Sequence, residues 1–98
     1  MEVQIKPSKA KGKRFVAIFF ENGKKVKTTN FGSSTAENYT MHGDEKRKEL
    51  YLKRHQKREN WDDYKSAGSL SRYILWNKKT LKSSISDYLK KFKLKLKK

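Results

Sequence analysis

The stretch RFVAIFFENGKKVKTTN, Arg14 to Asn30, decides the fold. Arg14 to Phe20 reads as a strand that is apolar on both faces. Asn22-Gly23 follows, a strong hairpin signal, because both central residues of a type I′ turn need positive φ. A two-residue loop fixes the register. Phe19 is then expected opposite Val26, Ala17 opposite Thr28 and Phe15 opposite Asn30. On the other face Phe20 meets Lys25, Ile18 meets Lys27 and Val16 meets Thr29. The Phe15/Ala17/Phe19 face is assigned to the core. The Val16/Ile18/Phe20 face is too apolar to stand bare, so a helix, a tail or a partner is expected to cover it.

Working outward to the N-terminus, Val3 and Ile5 alternate with Glu2, Gln4 and Lys6. That pattern suits a short edge strand, closed by Pro7, which has no N–H for a ladder. Ser8 to Lys13 is a lysine-rich loop. On the C-terminal side, Phe31 to Tyr39 is a loop or short helix with the turn residues Gly32, Ser33, Ser34 and Thr35.

The run HGDEKRKELYLKRHQKRENW, His42 to Trp61, carries seven basic residues and lacks an apolar stripe. It predicts a long helix from an Asp44 N-cap to about Arg58. Glu45 in its first turn and basic residues in its last turns complement the macrodipole. Arg47, Tyr51, Arg54 and Arg58 share one stripe, and Lys46, Lys53 and Lys57 a neighbouring one. Such a helix is either a solvated face with i,i+4 pairs or a surface for an anion.

Ala67 to Trp76 reads as a short buried helix. Thr80 caps a last helix whose Leu81, Ile85, Tyr88, Leu89 and Phe92 form a clean amphipathic face. After it, Phe92 to Lys98 alternates with period two. Phe92, Leu94 and Leu96 take one side of an extended segment, and Lys93, Lys95 and Lys97 the other. Such a segment adds to a sheet edge, its own or a partner's. The expected architecture is α+β: an antiparallel meander of three strands with an N-terminal β-hairpin, then three helices, in the order β-β-β-α-α-α. Residues 1–92 form one small domain and 93–98 a basic tail, whose removal is expected to leave the melting of the fold unchanged.

The chemistry follows from the composition. Charged residues (37%) outnumber apolar ones (34%), and the formal net charge is +16. A polyanion relieves the self-repulsion of such a chain. The cations are spread along it, eight before Gly32 and eleven after Trp61, which favours non-specific phosphate contact over a reading helix. No cysteine is present, so no disulfide framework or thiolate metal site is expected. No apolar run is long enough to span a membrane, and no secretory signal is visible in MEVQIKPSKA. His42 and His55 lack metal-ligand spacing. His42 with Asp44, or His55 with Glu59, forms an acid/base pair only on paper, because no nucleophile or phosphate loop accompanies it. No metal, cofactor or catalytic residue is expected.

The polyanion-binding residues are expected to be Lys46, Arg47, Lys53, Arg54, Lys57, Arg58, Lys90, Lys91, Lys93, Lys95 and Lys97. A protein interface is expected at Val16, Ile18, Phe20, Phe92, Leu94 and Leu96. Tyr39, Tyr51 and Trp61 are the aromatic candidates for base stacking, against core packing.

Several segments carry a resemblance: His42 to Arg47, Tyr51, Arg54-His55, Arg58 to Trp61, and SAGSLSRYILW from Ser66 to Trp76. Over about residues 2 to 92 the chain resembles a family of short basic proteins encoded by large double-stranded DNA viruses. The resemblance implies a viral setting, with the protein in the virion and in the host cell during infection. It implies no activity. Two functions fit that setting, and the alternating tail and the doubly apolar strand favour the first of them by a narrow margin. One is a virion structural protein, a minor capsid or shell-lining component that contacts viral structural proteins and polyanions. The other is a sequence-non-specific nucleic-acid-binding protein in replication, transcription or packaging.

Overall fold

The computed structural model describes residues 1–97; Lys98, the last residue of the expected tail, lies outside them. β1 (Glu2–Pro7), β2 (Lys13–Glu21) and β3 (Lys24–Ser33) form the antiparallel meander. Asn22 and Gly23 turn β2 into β3 with φ of 53° and 80°. The register of the hairpin differs from expectation. Phe20 pairs with Lys25, but a β-bulge between Phe19 and Phe20 shifts the rest by one residue. Phe19 therefore meets Lys27, Ala17 meets Thr29 and Phe15 meets Phe31. Val26 is the extra residue and stands 47% exposed. A bulge spends one residue without a partner, and here it brings Phe31 to the core side of Phe15.

The order of three strands followed by three helices is corrected. Beyond β3 come α1 (Tyr39–His42), α2 (Glu45–His55), α3 (Ala67–Leu70) and α4 (Leu81–Lys91), and α3 opens into a π-helical turn at Ser71–Leu75. A fourth strand, β4 (Lys95–Leu96), follows the helices and joins the sheet parallel to β1, in the order β3-β2-β1-β4. β1 is thus an interior strand, not an edge. The physical reason is its otherwise unpaired side. Lys93, at φ 55°, reverses the chain after α4. The Leu94 N–H then donates to the Leu89 carbonyl at 2.8 Å, and the Lys95 and Lys97 N–H groups donate to the Met1 and Val3 carbonyls at 3.2 and 2.8 Å. Residues 93–97 are in this way joined to the fold of residues 1–92.

The expected long helix starts where its Asp44 cap places it but ends early, and a separate short helix precedes it. Gly43, in the left-handed region, ends α1. Asp44 caps α2, accepting from the Lys46 and Arg47 N–H groups, and α2 stops at His55, short of Arg58.

One face of the sheet carries the core. Val3, Ala17, Phe19 and Phe31 meet Leu70, Ile74 and Tyr88 from the helices, all fully buried. The Tyr88 hydroxyl donates to the Tyr64 carbonyl at 2.6 Å. Thr80 caps α4, and Leu81, Ile85 and Leu89 pack against the core from its apolar face. Val16 and Ile18 point to the opposite face. Each is only 8% exposed, set between Lys6 and Asn30, and between Gln4 and Thr28, on the flanking strands.

Candidate nucleic-acid interface

α2 follows from its sequence. Good helix formers behind an Asp cap make a helix, and the absence of an apolar stripe leaves it with no buried residue. It is held to the body by a ladder of rings and, in its N-terminal half, by Glu45 and Lys48. Tyr51 stacks on Trp76 with ring centres 4.3 Å apart and planes 4° off parallel. On its other face Tyr51 stacks on His55 at 4.1 Å and 24°. His42 closes on Trp76 at 5.4 Å. Tyr51 and His55 meet because they are one helical turn apart. Trp76 reaches them from the end of the π-helical turn, whose Trp76 N–H bonds back to the Ser71 carbonyl. Turns of this type widen a helix and recur at functional sites.

A second layer orients the ladder. His55 Nδ1 lies 3.1 Å from Glu59 Oε2, and the Trp61 Nε1–H donates to Glu59 Oε1 at 3.0 Å. The Arg72 guanidinium sits over Trp61 and Tyr73, 5.3 and 4.9 Å from the ring centres. Burial lowers its pKa from the ordinary arginine value. Its Nε, like His42 Nε2, is buried without a hydrogen-bond partner among the described residues. Lys48 anchors the N-terminal half of α2. Its Nζ donates to the Asn77 carbonyl at 2.6 Å and stands 4.8 Å over the Tyr39 ring. Desolvation lowers its pKa, with Glu45 acting in the opposite sense.

Between α2 and the loop after β3 lies a cleft of about 540 Å³, with Tyr51, His55 and Trp76 on its wall and Arg47 and Arg54 at its rim. A smaller cavity of about 250 Å³ continues past Tyr51 and Trp76 towards Gly32 and Ser71. Glu37 faces Arg47 across the rim at 3.8 Å, with both side chains about half exposed. An exposed pair of this kind contributes little.

The expected polyanion residues fall into separate groups. Lys46, Arg47, Lys53 and Arg54 are exposed on α2, and Lys57 and Arg58 are exposed in the turn after it. Lys90, Lys91 and Lys93 surround the end of α4, and Lys91 lies over the rings of Tyr73 and Phe92. Lys95 and Lys97 belong to the β4 edge, where Lys97 Nζ is 4.9 Å from the Phe20 ring centre. The cleft lies at the β3 side of the sheet and β4 at the other edge, so one flat surface does not contact both.

Of the expected interface residues, Val16, Ile18 and Leu94 are buried, and Phe20 and Phe92 are half-buried. Leu96 is 47% exposed and lines an apolar groove with Leu81, Ile85 and Leu89. Of the stacking candidates, Tyr39 is buried, with its hydroxyl donating to Glu45. Both faces of Tyr51 are taken by Trp76 and His55. Trp76, Glu59 and Arg72 were not among the expected site residues. The i,i+4 spacing of Arg72 and Trp76 is a local signal, but their meeting with α2 is a long-range event.

His42 Nδ1 accepts from the Asp44 backbone N–H at 2.9 Å, a turn contact. Among the described residues no group of three or more His, Cys, Asp or Glu is placed to hold a metal ion, and no helix is long and apolar enough to cross a membrane. A family model described as a family of unknown function (DUF5754) matches residues 3–55. No curated protein and no solved structure matches the chain.

Proposed function

The chain belongs to that family of unknown function, and on that premise we propose that it is a non-enzymatic, sequence-non-specific nucleic-acid-binding protein. It contacts phosphates through α2 and the turn after it. The observation that carries this reading is unpaired charge. Against 26 Lys and Arg stand 10 Asp and Glu. Among the described residues a single Lys or Arg, Arg47, lies within ion-pair distance of a carboxylate. α2 spends no residue on the core. A helix of that kind is held by the ring ladder and by Lys48, and it offers its other cations outward, where phosphates release counterions on contact. In the viral setting that the resemblance implies, the ligand is the viral genome or its transcripts.

The test is a duplex titration at several salt concentrations. Each phosphate contact contributes about 0.9 to the slope of log K against log salt. Charge reversal at Arg47, Arg54 and Arg58 is expected to weaken binding and to flatten that slope by about 2 to 3. Unchanged binding removes α2 from the interface.

A second reading, a virion structural protein that docks on protein neighbours, has one observation in its favour. The groove of about 550 Å³ beside β4 is lined by Leu81, Ile85, Leu89 and Leu96, with Lys82 on its wall. Mass spectrometry of shell and core fractions of purified particles tests it. Presence with the shell supports docking, and absence from the shell removes it.

A further inference from the structure

We propose that the cleft between α2 and the loop after β3 is a subsite for an unpaired base of single-stranded nucleic acid. The base stacks on the outer face of His55, and Arg47 and Arg54 hold the flanking phosphates. This deepens the nucleic-acid reading above and rests on it.

Bare phosphate contact needs only exposed cations on a convex surface. Here two of the arginines instead rim a concavity of about 540 Å³, within the range of pockets that enclose small ligands. Its wall is not generic apolar surface. It is a row of rings in parallel stacking, Trp76 on Tyr51 at 4.3 Å and Tyr51 on His55 at 4.1 Å. A row of stacked π-systems has two ends. His42 leans on the Trp76 end at 5.4 Å. The His55 end has no further ring packed on it among the described residues, and the His55 side chain is 38% exposed. His55 does not swing freely, because Glu59 holds its Nδ1 and is itself held by Trp61. A fixed, half-exposed ring that ends a stack, beside two arginines, offers the combination that takes a base and its phosphates: a π-face and flanking positive charge. In a duplex the bases are already stacked, so the cleft selects strands whose bases are free. Glu37 is the one carboxylate at the rim, and its 3.8 Å pair with Arg47 is exposed enough for a phosphate to replace it.

The experiment compares four ligands at one salt concentration: a single-stranded oligonucleotide, an abasic oligomer with the same number of phosphates, a duplex, and a mononucleotide. The full chain is used, with His55→Ala and His55→Phe as variants. Stacking of one base is expected to favour the oligonucleotide over the abasic oligomer by about 5- to 150-fold. His55→Ala removes that preference, and His55→Phe, which keeps a ring, retains it. A fluorescent adenine analogue in the strand is quenched on binding to the wild type and to His55→Phe, but not to His55→Ala. Circular dichroism establishes that each variant is folded. Equal affinity for base-bearing and abasic strands, or preference for the duplex, overturns the subsite and leaves phosphate binding standing. Tight binding of the mononucleotide without added affinity for the strand also overturns it, in favour of a free nucleotide site. Failure of every polyanion to bind overturns both proposals.

Discussion

Leu94→Ala tests whether the C-terminal segment belongs to the fold. Leu94 is 8% exposed and packs in the same cluster as Val3, Phe19 and Tyr88. Truncating a buried leucine to alanine costs about 2–5 kcal/mol. Leu94 sits beside the short β4 at the sheet margin, where neighbours relax more easily, so the lower part of that range applies, about 2–3 kcal/mol. For a chain of this size each kcal/mol moves Tm by about 4–8 °C, so Tm is expected to fall by about 8–24 °C. Urea denaturation followed by Trp61 and Trp76 fluorescence reads the loss as a lower midpoint with an unchanged slope. Leu96→Ala is the internal control. Leu96 is 47% exposed, and its truncation is expected to cost under about 1 kcal/mol. A chain ending at Phe92 also loses the hydrogen bonds to Met1 and Val3, and is expected to melt below the full chain. If Leu94→Ala and Leu96→Ala lose the same small amount, and the truncated chain melts like the full one, the segment is an appendage and its place in the sheet is refuted.

Gly32→Ala is expected to destabilise by about 1–3 kcal/mol, as overpacking does. Gly32 has φ +78°, and an added Cβ meets Leu75 Cδ1 at 2.7 Å; a urea midpoint equal to that of the wild type contradicts this packing. The tyrosines predict an alkaline limit. Burial pushes the phenols of Tyr51 and Tyr88 well above the ordinary value, and the hydrogen bond to Glu45 raises that of Tyr39. Their folded pKa values exceed the unfolded value of about 10, so their contribution is complete below pH 10 and is lost as pH rises above it. Tyrosinate absorbance should therefore lag in the native protein and complete its rise only as circular dichroism reports unfolding. Simultaneous ionisation of all five tyrosines near pH 10 in a folded chain contradicts the burial.

The candidate site was legible in parts. Arg47, Tyr51 and Arg54 stand on one helical stripe by spacing alone, and they remain together at the cleft. The cleft itself was not legible, because Trp76 is 25 positions from Tyr51 in the chain and no local pattern announces their stacking. The period-two tail reads as an extended segment for some sheet edge, its own or a partner's, but nothing local says which edge. The strand pairing of Lys95 and Leu96 with Glu2 and Val3 carries it to the far edge of the sheet.

What the sequence determined by itself is what is local. The Asn22-Gly23 turn, the Asp44 and Thr80 caps, the core face of β2 and the apolar face of α4 each depend on a few neighbouring residues with fixed backbone preferences. The charge is likewise written in the composition. What only the tertiary structure decided is where elements distant in the chain meet. The bulge at Val26 depends on which residue of β3 the core accepts opposite Phe15. The joining of β4 depends on an unpaired edge of β1 more than eighty residues earlier. The cleft depends on a π-helical turn that brings Trp76 onto Tyr51. Burial and backbone hydrogen bonding are satisfied by the whole chain at once, and no single stretch specifies its own partner.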